Sequence, residues 1–173
     1  MTTAQELREK KQLYFDDVTV GQELPSLVIG PITPTHLFRW SAASENWHRI
    51  HYDQAFAIYH EGLPNILGQG SWKQNILPRY LKDLCLPDGW PWKVRFQHRT
   101  MIVPGDTITV WAKITKIFEE EGLGFVDLDV GMRLQHGVES CPGKATIVLP
   151  LKNGKTIPYP FVPPEKLVTG QDT

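Results

Sequence analysis

Cysteine is nearly missing from this chain. Cys85 and Cys141 are the two in 173 residues, too few and too isolated for a disulfide framework or a zinc site, so both are expected to be plain reduced thiols. An excess of charge of either sign is missing as well. Eighteen Lys and Arg against nineteen Asp and Glu leave a formal net charge of −1, which removes bulk electrostatic attraction to nucleic acid or an anionic membrane. Long hydrophobic runs are absent: the apolar stretches are far shorter than the ~20 residues a membrane span needs, and Met1 to Glu9 carries no apolar signal core. A cytoplasmic location is the expectation. No repeat at a period of tens of residues is visible, and Gly154-Lys155-Thr156 is no phosphate loop, because Leu149 stands where the upstream Gly is needed.

What is present is the make-up of one globular domain, 41% apolar and 21% charged, with two excesses: fourteen prolines and six tryptophans. Residues 1–13 are charged and helix-favouring with almost no apolar face and form an N-terminal arm; residues 14–151 form the domain; residues 152–173 form a Pro-rich C-terminal tail whose segment IPYPFVPP runs extended. Thr33-Pro34 is a helix start, with Leu37, Trp40, Ser41 and Ser44 on one face. Asp53 caps a second short helix with Ala55, Phe56 and Tyr59 inward, ended by Gly62. Gly68, Gly70 and Ser71-Trp72 lead into a longer helix that buries Trp72, Ile76, Leu77, Tyr80, Leu81 and Leu84, and Pro78 within it should bend it or shift its frame. The segment LPDGWPW from Leu86 is expected to be irregular, a rigid connector or a roof over a channel.

After that the period changes to two. Strands are predicted through Val94 to Ile102, Ile108 to Phe118, Val126 to Leu134 and Ala145 to Leu151, joined by the turns Pro104-Gly105-Asp106 and Glu119 to Gly122. This is an α+β pattern, an antiparallel meander whose apolar face the long helix covers. His98 lies on the apolar face of the first of these strands, where a satisfied core histidine is expected before one that lines a tunnel.

The informative stretch is Leu37 to Gly70, LFRWSAASENWHRIHYDQAFAIYHEGLPNILGQG. It resembles the MaoC-like family of (R)-specific enoyl-CoA hydratases and hydroxyacyl-thioester dehydratases, whose pattern runs from a helix beginning with Thr, through Asp-x-Asn-Pro-x-His and an Ala-rich short helix, to a Gly that opens the central helix. Thr33, Asn46 to His51, Asp53 with Ala55 and Ala57, and Gly70 hold those places here. Asn46 to Asp53 follow the form Asn-x-His-Arg-Ile-His-Tyr-Asp of the branch that resembles type 2 dehydratases and mesaconyl-CoA hydratases.

The resemblance implies a hot-dog fold, a curved antiparallel sheet wrapped around one long helix, and reversible syn hydration of an enoyl thioester to a 3-hydroxyacyl thioester, without metal or redox cofactor. It implies His51 as the catalytic acid and base, Gly70 as the backbone donor to the thioester oxygen, and Asn46 and His48 as residues that hold water or the thioester. Asn46 stands where most of the family's hydratases have Asp, and an amide cannot accept the proton of water, so acid and base duties fall on His51. An acyl-CoA or other acyl thioester is the implied substrate, and the partner is a second copy or a related hot-dog chain. A catalytically silent subunit beside an active relative, and a hot-dog thioesterase, are the other readings. The tryptophans other than Trp111 fall in the helices and loop around the proposed site and are expected to wall an acyl pocket.

Overall fold

The alternation of apolar and polar residues along the second half of the chain builds three long neighbouring strands. They are β3 (Ile108–Glu120), β4 (Leu123–Leu134) and β5 (Gly143–Leu149), each antiparallel to the next. The computed structural model describes residues 11–169. A short strand, β1 (Leu27–Ile29), borders β3 on one side, and β2 (Trp90–Phe96) pairs with β5 on the other, so the order is β1-β3-β4-β5-β2. The β3–β4 hairpin closes through Glu121 and Gly122, both at positive φ (51° and 72°), as a tight two-residue turn between right-twisted strands requires.

Two full helices precede the long strands. α1 (Pro34–Ala43) starts at a reciprocal cap: the Thr33 hydroxyl accepts from the His36 N–H, and the Thr33 N–H donates to His36 Nδ1 at 3.0 Å. α2 (Gly70–Cys85) buries Ile76, Leu77, Tyr80, Leu81 and Cys85 against the apolar sheet face, including Val110, Ala112, Leu128, Val130 and Ile147. The sheet and α2 thus share one core, as the resemblance implied. A five-residue helix, α3 (Glu165–Thr169), ends the described chain.

Several expectations need correction. The segment LPDGWPW is only half irregular, because β2 begins at Trp90 and takes in Pro91. Proline is tolerated there because β2 is an edge strand and the register shifts between Pro91 and Lys93. The predicted strand stops at Phe96, and Gln97 to Ile102 carries no strand. Tyr59 is 88% exposed rather than inward, on a single π-helical turn, Phe56–His60. Trp90 and Trp92 pack with Phe125 and Phe161 in a second apolar cluster beneath the tail, so they do not join the tryptophans near α1 and α2. Of the predicted arm, residues 1–10 lie outside the described residues. Gln12 is buried and bridges the end of α2, donating to the Cys85 carbonyl at 3.2 Å and accepting from the Asp88 N–H at 2.7 Å.

Candidate active site

The loop after α1 is built from local hydrogen bonds. Glu45 takes a positive φ of 50°, which turns the chain out of the helix. The next N–H, that of Asn46, returns to the Ser41 carbonyl at 3.0 Å. The Asn46 side-chain oxygen accepts from the His48 N–H at 3.2 Å, an Asx-type turn that leaves the amide NH2 as its unused donor. Arg49 then donates twice to Asp53 Oδ2, at 3.0 and 2.7 Å, and Asp53 Oδ1 accepts from the Phe56 N–H at 3.0 Å. These bonds, first the one from Phe56, hold the Asp53 carboxyl below its ordinary pKa.

Between those anchors lies a single 3-10 turn, Arg49–His51. It turns His51 inward, to 7% exposure, while His48 stays exposed with its ring edge-on to His51 at 5.9 Å. His51 Nδ1 is 2.8 Å from the Leu67 carbonyl. A carbonyl only accepts, so Nδ1 carries the proton and Nε2 keeps its lone pair. Burial pushes the imidazole below its ordinary pKa, the Leu67 carbonyl opposes that, and His48 adds to it. His51 is therefore held neutral, in the tautomer a base at Nε2 requires.

Leu67 links His51 to the start of α2. Its N–H donates to the Ile50 carbonyl at 3.1 Å, and Gly70 follows three residues later, at most about 11 Å along an extended chain. The N–H groups of Trp72 and Lys73 bond to the Gln69 carbonyl at 3.1 and 3.3 Å, so those of Gly70 and Ser71 have no helical acceptor. Trp40 Nε1 donates to Ser71 Oγ at 3.0 Å and ties α1 to the same helix end.

His51, His48 and Asn46 thus share one short loop, and the Leu67 carbonyl joins that loop to Gly70. The backbone at position 70 is also crowded. A Cβ there would stand 3.2 Å from His98 Nε2, so the small residue makes room for an imidazole. His98 is itself exposed, on the irregular stretch after β2, and not in the core.

Sequence reasoning passed over His98 as a core residue and did not single out Lys73, which is 4% exposed. A signal for Lys73 existed. It falls three residues after Gly70 and four before Leu77, inside the apolar stripe of α2, where a lysine must find partners. Among the described residues, no three His, Cys, Asp or Glu side chains converge where a metal ion could sit. Two cavities, of about 550 and 530 Å³, lie elsewhere, one beside Arg95, Arg99 and Trp111 and one beside Trp90 and Tyr159. Trp47, His48 and Arg49 of the His51 loop are exposed on the single chain.

Comparison with known proteins places the chain in a family. The model of hydroxyacyl-thioester dehydratase type 2 matches residues 16–105, more than half of the chain, including the His51 loop and all of α2. No curated protein sequence matches. Among solved structures, the R-hydratase PhaJ1 from Pseudomonas aeruginosa superposes with a TM-score of 0.71 at 16% identity, over 88% of this chain and 95% of that one. The (R)-hydratase from A. caviae involved in PHA biosynthesis gives 0.62 at 20% identity, over 78% and 98%. The ChsH1-ChsH2 complex from Mycobacterium tuberculosis gives 0.64 at 19% identity, over 76% and 98%. The shared architecture is the hot-dog fold of MaoC-like hydratases.

Proposed function

The chain belongs to the type 2 hydroxyacyl-thioester dehydratase family, and from that membership we propose that it adds water to an enoyl thioester, and removes it again, with His51 as the one acid and base. The observation that carries this is the His51 tautomer, with Nδ1–H on the Leu67 carbonyl and Nε2 free beside the residues that lead into α2. Nε2 takes a proton from water as the water oxygen bonds to the β-carbon. Electron density moves to the thioester oxygen, where the Gly70 N–H receives it. The same proton passes from Nε2 to the α-carbon, the thioester carbonyl re-forms, and His51 is neutral again. One imidazole therefore serves both halves of a syn addition, and Asn46 needs only to orient water through its free amide NH2, with His48 at the edge of the same loop.

The substrate class is an acyl-CoA or another acyl thioester, and residues 14–151 are the domain that acts on it. The exposure of Trp47 and His48 supports a site completed by a second hot-dog chain, either another copy or a relative, as the ChsH1-ChsH2 complex pairs two chains. The expected outcome with purified protein and trans-2-enoyl-CoAs of graded length is loss of the conjugated thioester absorbance with no free thiol. Thiol release would make the protein a thioesterase. No reaction alone, with turnover on adding a related chain that has Asp at the position of Asn46, would make it a silent subunit.

A further inference from the structure

The first turn of α2 carries a buried polar cluster that the reaction above does not use. Lys73 donates to the Thr100 carbonyl at 2.8 Å and to Ser140 Oγ at 3.3 Å, and the Cys141 thiol interacts with the same ammonium. Ser140 in turn donates to the Thr100 carbonyl at 2.7 Å. Cys141, fully buried, lies 3.5 Å from His98 Nδ1. A line of contacts therefore runs from Lys73 through the thiol to the exposed imidazole, whose far nitrogen Nε2 stands against Gly70.

One proton order follows if Cys141 is a thiol. A Cys141 that keeps its proton can give its S–H to His98 Nδ1, 3.5 Å away. Burial pushes the Cys141 thiol up, which keeps that proton on sulfur. Loss of water on the side of the ring that packs on Cys141, and then Lys73, push the His98 imidazole below its ordinary pKa, which favours the neutral ring. With Nδ1 accepting, the proton of a neutral imidazole must sit on Nε2, beside the α2 N-terminus.

We propose that His98 is a second donor in the acyl-thioester site, its Nε2–H directed with the Gly70 N–H at the thioester oxygen, and that Cys141 and Lys73 are positioning residues that fix its tautomer. This rests on the thioester reading of Gly70. It gives Gly70 a double purpose, since an alanine there would push away the imidazole that completes the oxyanion cradle. His51 moves the proton and His98 holds the charge. The opposite tautomers of the two rings, Nδ1–H on His51 and Nε2–H on His98, are each set by one partner within the chain, the Leu67 carbonyl and the Cys141 thiol.

The test is long-range ¹H–¹⁵N NMR of histidine-labelled protein at pH 7, with saturated butyryl-CoA as an unreactive probe and crotonyl-CoA turnover measured alongside. Expected are an Nε2–H signature for His98, a shift of that nitrogen on adding butyryl-CoA, and loss of the tautomer preference in Cys141→Ala with its recovery in Cys141→Ser. His98→Ala should lower kcat about 100-fold with KM nearly unchanged, and His98→Gln, which keeps an N–H donor, should regain part of it. An Nδ1–H tautomer, or no shift at His98 with the probe, overturns the proposal whatever the turnover. A shift at His98 accompanied by thiol release, or by no hydration, supports the cradle and overturns the hydration reading instead.

Discussion

The role proposed for His51 rests on one hydrogen bond. Its Nδ1–H is held by the Leu67 carbonyl inside the chain, so the lone pair on Nε2 is the only base the ring can offer. Its lowered pKa sets a direction in pH. Below the ordinary histidine value of about 6.5 an unfolded chain binds the proton while the native ring still does not, so stability falls as pH drops through that value. The same shift keeps the base form available in mild acid. The acid limb of the pH profile of kcat/KM should therefore lie below pH 6.5, as steady-state hydration across pH 5–8 would read. A limb at or above 6.5 would mean that His51 titrates as an exposed imidazole.

The elements were legible where a local rule governs them and obscure where tertiary packing does. Thr33-Pro34 announced α1 because a cap and a first-turn proline need no partner outside the helix. Gly122 announced the β3–β4 turn for a similar reason, since only a local positive φ was at stake. His98 was misplaced because alternation continues in sequence past Phe96, while pairing with β5 stops at the Phe96–Gly143 position. Trp90 and Pro91 looked irregular because an edge strand and its bulge are properties of the sheet, not of the segment. The His51 loop was readable from its motif, but the Lys73–Cys141–His98 line joins three distant segments and no spacing reveals it.

Pro78 marks the strongest conflict between propensity and packing. It removes one backbone bond from the interior of α2, at a cost of about 3 kcal/mol, yet the helix runs unbroken from Gly70 to Cys85. Burial of Ile76, Leu77, Tyr80 and Leu81 around it outweighs that cost. Pro78→Ala should raise stability by about 1–2 kcal/mol, the regained bond being partly offset by a freer unfolded chain. Denaturant midpoints would show the rise; a fall would mean that the half-buried ring fills space the core needs.

At the scale of the whole molecule, the sheet wraps its apolar face around α2, and the two ends of that helix serve different ends. The C-terminal end is closed by Gln12 against Cys85 and Asp88. The N-terminal end is left with free N–H groups at Gly70 and Ser71, next to the His51 loop on one side and His98 on the other. That end is where the proposed site lies. The near-neutral charge of −1 fits a partner recognised by shape and by these few donors more than by bulk attraction.

The most direct measurement compares wild type with His51→Ala in enoyl-CoA hydration, with thermal unfolding of both followed in parallel. Losing the bond to Leu67 costs about 1–3 kcal/mol, which leaves the protein folded, while kcat should fall at least about 100-fold. Equal turnover in two folded proteins would contradict the assignment of His51 as the acid and base.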